Sequence, residues 1–345
     1  MRRLVLTMGM VWGMCTALVM CACMVGGRLT SHQLGFTVRY REFGHPGVVV
    51  ADVERGLNIN LNQRFPDTYL PSREGLIAFM QQGDTVVASD LYQMAHAVVI
   101  PDHTEISGWL DAVWSADGTR LALVAAENND SYHLDERIYI SDGITLRNLM
   151  AERSFRAISD LAWSADGTRL AFSVAEDNIS APGIYVLDID SGAFQRVTAD
   201  NLWAVQPVWS PDGTQLVFNG RRDNQFSELF LMNADGGELR NLTQSPASDV
   251  LPAWSPDGRH IAYMSGEAGN SDIYVIDLPE QQVRRVSYHQ AYVSSPVWSG
   301  DSTRIAFQSG PTLFEAQIYV VGADGTGERR LSFTGVASAY PVWLP

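Results

Sequence analysis

Beyond residue 30 the chain alternates short apolar runs with polar, glycine-rich breaks, and no apolar period of 3.6 residues is sustained over a useful length. Short runs bounded by Gly, Pro, Asn and Asp read as β-strands joined by turns, so an all-β body is expected. Ahead of it the pattern is different. Leu4 to Gly27 carries no charge over 24 positions. Coiled as a helix this stretch is about 36 Å long, enough to cross a bilayer. Two regions follow: an N-terminal membrane anchor or signal segment over 1–30, and a strand-rich body over 31–345.

Within the body one phrase recurs. Ala112-Val113-Trp114-Ser115-Ala116-Asp117-Gly118 is echoed by Leu161-Ala162-Trp163-Ser164-Ala165-Asp166-Gly167, by Pro207-Val208-Trp209-Ser210-Pro211-Asp212-Gly213, and by Pro252-Ala253-Trp254-Ser255-Pro256-Asp257-Gly258. Trp298 leads a worn copy and Trp343 begins one more. The spacings between these six tryptophans are 49, 46, 45, 44 and 45. A step of 44 back from Trp114 reaches Leu70, and Ile77-Ala78-Phe79 follows it as Leu121-Ala122-Leu123 follows Trp114, so Leu70 leads a degenerate first copy.

Each copy reads as four strands. In the copy led by Trp209, Pro207 to Ser210 is strand A, Gln215 to Asn219 strand B, Glu228 to Asn233 strand C, and Leu239 to Thr243 strand D. Pro211-Asp212-Gly213 and Ala234-Asp235-Gly236-Gly237 carry turn chemistry. Four strands repeated at about 45 residues predict a β-propeller. The 315 residues of the body make seven such units, with six blades and loose ends as the alternative. Gly35 to Arg41, Val48 to Val53 and Leu57 to Asn62 read as strands B, C and D without an A. The C-terminal strand, 339–344, is expected to supply it by pairing with 35–41, closing the ring and removing exposed sheet edges.

The run Pro-x-Trp-Ser-Pro-Asp-Gly, then Ile-Ala-Phe/Tyr, then Ile-Tyr-Val, then Asp-Gly-x-x-x-Arg-x-Leu-Thr resembles the TolB-type, or WD40-like (PD40), propeller repeat. Residues 207–243 and 252–287 carry it nearly in full. The resemblance covers essentially all of 31–345 and is specific for fold. For function it implies several things. TolB is a periplasmic partner-binding protein of the Tol–Pal envelope system with an α/β domain ahead of its propeller, for which this chain has no room. The same repeats precede the catalytic domain of some serine peptidases and occur in some sugar lyases. The expectation is a protein- or ligand-binding scaffold, with a carbohydrate-acting enzyme, a lyase or glycosidase, as the alternative.

Charge narrows the partners. The net charge is −15; the first 30 residues contribute +3 and the body carries −18, with every basic residue an arginine. So acidic a body repels phosphate backbones, which excludes nucleic acid. Cys15, Cys21 and Cys23 all lie in the apolar segment, so the body tolerates an oxidising compartment without disulfides. Ala22-Cys23 fits a lipoprotein signal, although Met20 and Cys21 before it do not; an uncleaved anchor fits the length of the segment better. Arginines flank both ends, so charge leaves orientation open. The expected location is the extracytoplasmic face of the cell membrane, the expected state a monomer, and the expected partner an envelope protein or extracellular ligand.

The repeated Trp114, Trp163, Trp209, Trp254, Trp298 and Trp343 read as blade-packing residues, because a repeat needs a repeated core residue. There is no Gly-x-Ser-x-Gly elbow and no body cysteine. The seven histidines fall at unrelated phases of the repeat. Catalysis, and with it any cofactor, is therefore not expected. The B–C loops differ from blade to blade, among them Glu127 to Asp130, Glu176 to Asn178, Arg221 to Asn224 and Glu267 to Asp272, which is how such scaffolds acquire partners. One further alignment is informative. Three residues before each lead position stand Asp67, Asp111 and Asp160, then Gln206, Leu251, Ser295 and Tyr340. Placed at the start of the innermost strand, the three carboxylates line one arc of the channel mouth, a candidate site for Ca²⁺ or a cationic ligand.

Overall fold

The computed structural model describes the backbone from Gln33 to Trp343, apart from residues 40–45, 53–56, 62–67, 73–74, 83–84, 91–96, 101–105, 130–132, 143, 151–154, 156, 177–180, 223–225, 268, 290, 313–314 and 333–336; most side chains are described from Asp111 onward. The segment 1–30, with its expected anchor and three cysteines, lies outside the described residues, as does Asp67. Among the described residues there is no α-helix, and none long and apolar enough to cross a membrane.

The strands pair, always antiparallel, into four-stranded sheets ordered A–B–C–D. Sheet 1 holds Thr68–Ser72, Gly75–Gln82, Thr85–Asp90 and Ala97–Ile100. Sheet 2 holds Ile106–Trp114, Leu121–Asn129, His133–Ser141 and Leu146–Asn148. Sheet 3 holds Ala157–Trp163, Arg169–Ala175, Gly183–Asp188 and Phe194–Arg196. Sheet 4 holds Trp203–Trp209, Gln215–Arg221, Glu228–Asn233 and Arg240–Asn241. Sheet 5 holds Ser248–Trp254, His260–Glu267, Asn270–Asp277 and Gln282–Arg285. Sheet 6 holds Tyr292–Trp298, Arg304–Gly310, Gln317–Gly322 and Arg329–Arg330. In sheet 7 the C-terminal Ala337–Trp343 pairs with Gln33–Arg39, followed by Pro46–Asp52 and Leu57–Leu61.

Register bears out the alignment of the repeats. Trp114, Trp163, Trp209, Trp254 and Trp298 face Leu121, Leu170, Leu216, Ile261 and Ile305 across the A–B pair. Leu70 faces Ile77 in the same way, so the copy without a tryptophan keeps the frame.

Consecutive sheets pack face to face, and among the described residues the seams 2/3, 3/4, 4/5 and 5/6 each have an apolar core. Phe172 lies in the seam between sheets 2 and 3, Phe218 between 3 and 4, and Phe307 between 5 and 6. All three rings are fully buried, so truncating any of them to Ala is expected to cost about 3–5 kcal/mol. The tryptophans stitch the seams as well as filling them. The indole N–H groups of Trp163, Trp209, Trp298 and Trp343 donate to the carbonyls of Val113, Ala162, Ala253 and Val297 in the preceding sheet, at 3.0, 2.9, 3.0 and 3.1 Å. Arg120 and Arg169 lie over the Trp163 and Trp209 rings and donate to the carbonyls of Gly167 and Gly213, so each arginine caps the tryptophan of the next sheet. His260 stands at the same place beside Trp298.

The Ser-x-Asp-Gly turns close the A–B hairpins. In each, the Asp carboxylate accepts from the serine hydroxyl, at 2.6 Å for Ser115–Asp117, and from the backbone N–H two residues on. Gly213, at φ +71°, takes the left-handed conformation after the Pro-Asp pair, and Ser302 takes it in the worn copy at φ 60°.

Three sequence expectations need correction. Strand A is longer than Pro207 to Ser210: it starts at Trp203, because a bulge breaks the alternation that would have exposed its first half. Strand D is shorter, reduced in sheet 4 to Arg240–Asn241 at the outer edge. Three of the expected loops are partly strand: Glu127 to Asn129 pairs with His133 to Asp135, Arg221 ends strand B opposite Trp203, and Glu267 pairs with Asn270 across a tight connection.

Candidate functional site: the bulge of the inner strand

The strands A of neighbouring sheets lie side by side, so they line the axis on which the sheets converge. Each of those in sheets 3 to 6 contains the same irregularity. In sheet 3, Ala162 pairs with Ala171 and Ser159 with Ser173, so Asp160 and Leu161 together oppose Phe172 alone. The same two-against-one arrangement occurs before Trp209, Trp254 and Trp298. Such a bulge re-aims a side chain, and its left-handed residue is ordinarily glycine. Here it is Asp160, Gln206, Leu251 and Ser295, with φ of 57°, 56°, 57° and 54°. A left-handed L-residue costs roughly 1–2 kcal/mol, so four repeats each carry strain that glycine would remove. All four side chains are half-buried, as befits a channel wall.

Two of these bulge positions, Gln206 and Ser295, are backed by polar side chains of strands B. Ser173, Asn219 and Gln308 are buried there. The Ser173 hydroxyl accepts the backbone N–H of Gln206 at 3.1 Å, the Asn219 amide donates to the Gln206 side chain, and the Gln308 amide approaches the Ser295 hydroxyl at 3.4 Å. Asn219 Oδ1 and Gln308 Oε1 are buried and accept no hydrogen bond. At the end of the same A–B pair, Arg221 stacks over Trp203 at 4.6 Å.

The sequence-predicted carboxylates can now be placed. Asp111 Oδ2 accepts from the N–H of Leu161 at 3.4 Å, so it reaches across the seam to the peptide that follows Asp160. Asp160 Oδ2 accepts from Ser159 Oγ at 3.1 Å and from the N–H of Gln206, in sheet 4, at 3.3 Å. Asp111 therefore faces the seam between sheets 2 and 3 and Asp160 the seam between sheets 3 and 4, and both lean toward backbone N–H donors. They differ in backbone, because the irregularity of sheet 2 is displaced and Asp111 is not left-handed. Asp160 is the fourth residue of its strand, about 10 Å along from the strand's start. Asp67 lies outside the described residues, and among the described residues no three His, Cys, Asp or Glu side chains are grouped as metal ligands.

Elsewhere a repeated electrostatic feature belongs to the turns. Hydrogen bonds from Ser115 and then the Thr119 backbone hold Asp117 down at about 2, and Ser164 with Thr168 does the same for Asp166. Burial opposes the effect at Asp301, but bonds from Ser299 and Thr303 outweigh it and leave that carboxyl at about 2.

Ser173, Asn219 and Gln308 escaped the sequence reading. Their signal was a polar residue straight after the aromatic of strand B, in Leu-Ala-Phe-Ser, Leu-Val-Phe-Asn and Ile-Ala-Phe-Gln. A strand with one wet face looks the same.

Residues 110–312 and 251–345 match the model of the TolB beta propeller domain. Among solved structures, puromycin hydrolase superposes with a TM-score of 0.66 at 14% identity, covering 89% of this chain and 53% of that one. TolB from Acinetobacter baumannii gives 0.54 at 16%, covering 92% and 86%. An oligogalacturonate lyase in complex with manganese gives 0.65 at 17%, covering 85% and 86%. At these identities the likeness is one of fold, and the chain spans about half the length of the puromycin hydrolase. No curated protein sequence matches the chain.

Proposed function

The chain belongs to the TolB beta propeller family, and on that premise we propose that it is a closed seven-bladed propeller acting as a binding scaffold, exported and tethered to the membrane by its N-terminal segment, with an envelope protein or an extracellular ligand as its partner. The pairing of Ala337–Trp343 with Gln33–Arg39, and its packing against Gly75–Gln82 of sheet 1, support the blade count and the closure.

One observation carries the binding role. A single strained backbone position recurs in four consecutive sheets and presents a different side chain each time: Asp160, Gln206, Leu251 and Ser295. Structural need alone would place glycine there. A constant frame that displays varied side chains toward an axis is the construction of a recognition surface. Asp111 and Asp160, on neighbouring strands A, are the acidic part of that surface, and with Asp67, aligned to them in the sequence, suit a cationic group or Ca²⁺. The scaffold acts as a monomer and without a cofactor in this reading. Calorimetry with Ca²⁺ on the full chain and on Asp111→Ala tests the acidic site; equal or absent binding in both removes it. A reporter active only outside the membrane, fused after Pro345, tests export; strong activity of a cytoplasmic reporter instead contradicts it.

A second reading, a carbohydrate-acting enzyme, is favoured by the near-equal extents of this chain and the oligogalacturonate lyase fold. Incubation of the purified protein with uronate oligomers, peptides and esters separates the two. Turnover abolished by one point substitution supports the enzyme, whereas binding without turnover supports the scaffold.

A further inference from the structure

The seam between sheets 4 and 5 is built differently from its neighbours. Its tryptophan, Trp254, has a buried indole N–H with no acceptor, while the tryptophans of the seams 2/3, 3/4, 5/6 and 6/7 each donate to a carbonyl across theirs. Gln215 stands where Arg120 and Arg169 cap the next tryptophan. In place of these ties the seam contains polar groups.

Asp249 is the first of them. It lies five residues before Trp254, where the equivalent positions of sheets 3, 4 and 6 hold Ile158, Ala204 and Val293, all buried. Asp249 is fully buried itself. Its backbone N–H donates to the Ser227 carbonyl of sheet 4 at 2.7 Å, which fixes it on the seam. Oδ2 accepts from Ser245 Oγ at 2.8 Å, and Oδ1 accepts nothing. Tyr263 is the second. It adds a hydroxyl where Phe172, Phe218 and Phe307 have none, packs among Val217, Leu229 and Leu231 of sheet 4, and is paired with Tyr274. Asp249 pairs with Ser265, two residues from Tyr263, so acid and phenols share the face turned to sheet 4. Burial, then the charge of Asp249, pushes the Tyr263 hydroxyl far up, so it stays protonated. From the other side comes Asn219. It pairs with Leu229, shares that residue's face toward sheet 5, and has a buried Oδ1 without a donor.

Asp249 Oδ1 and Asn219 Oδ1, from opposite sides of one seam, are buried oxygens without donors, and a serine hydroxyl and two phenols accompany them. An anion so buried needs a counter-charge. No arginine or histidine forms an ion pair with Asp249 among the described residues. We propose that the seam between sheets 4 and 5 holds a monovalent cation, Na⁺ or K⁺, on Asp249 Oδ1 and Asn219 Oδ1. All the donor atoms are hard oxygens, which exclude soft metals. One carboxylate among neutral oxygens balances one positive charge, and a divalent ion would leave an excess charge buried. The ion replaces the tryptophan bond and the arginine cap that this seam lacks, and through Ser245 it fixes the loop leading into strand A of sheet 5.

The test uses thermal unfolding of the full chain in NaCl, KCl and choline chloride at matched ionic strength. The wild type is expected to melt several degrees higher in one alkali chloride than in choline, and to climb with its concentration, because an ion bound only to the native state stabilises by mass action. Asp249→Asn and Asp249→Val, the second restoring the apolar residue of sheet 6, are expected to melt alike in all three salts. Identical melting of the wild type in the three salts overturns the site. So does an alkali-ion dependence that survives in Asp249→Val.

Discussion

The indole N–H of Trp209 donates to the backbone carbonyl of Ala162, one sheet away, at 2.9 Å, and the Arg169 guanidinium covers the same ring at 4.6 Å. Trp254 occupies the equivalent place and donates to nothing. The pair isolates the contribution of the stitch. Trp209→Phe strands a carbonyl and weakens the cation–π contact, about 1–2 kcal/mol beyond what Trp254→Phe loses with its ring. Chemical denaturation of the two variants checks this, with the Trp209 variant unfolding at distinctly lower denaturant.

The bulge makes its own prediction at Ser295, whose φ is 54°. Glycine is at ease in that conformation and a β-branched side chain is not. Ser295→Gly should match the wild type or exceed it, while Ser295→Val should fall about 1–2 kcal/mol below the glycine variant. Equal melting of the two variants would show that the bulge has relaxed.

Closure rests on Ala337–Trp343, whose last residue donates its indole N–H to Val297. Removing 340–345 takes away that bond and the pairing of Val342 and Trp343 with Gly35 and Leu34. The truncated protein is expected to lose several kcal/mol of stability, since the seam packing of sheet 7 goes with it. A melting temperature equal to that of the full chain counts against a closed ring.

Acid should loosen the turns. Asp117, Asp166 and Asp301 have native carboxyls held at about 2, below their ordinary 3.8. A depressed native value means stability that is complete above the unfolded value and fades as pH falls through the folded one. The expected window is therefore pH 4 down to 2. These carboxylates are exposed, so each contribution is small. The melting temperature of the wild type should drop across that window, and Asp166→Asn should reduce the drop. A flat profile to pH 2 would contradict the assignment.

The tryptophan period and the Asp-Gly turns were enough to place most strands, because a repeat states its core residue again in each copy. Even Leu70 could be aligned by spacing, and it faces Ile77 as the tryptophans face their partners. The bulge was not legible. Its extra residue breaks the two-residue alternation, so Trp203 to Gln206 read as lead-in rather than as strand. Asp249 was equally hidden: an acid early in a strand resembles a loop residue, and only the fold buries it.

The binding role is tested most directly by capture from the native envelope. Wild-type protein and Asp160→Arg, which reverses charge at the bulge, are each crosslinked in a membrane extract, and the attached proteins or glycans are quantified. The account predicts a partner held by the wild type and lost from the variant, with both proteins folded to the same thermal midpoint. Identical capture by the two, or chemical conversion of a bound saccharide by the wild type, would contradict it.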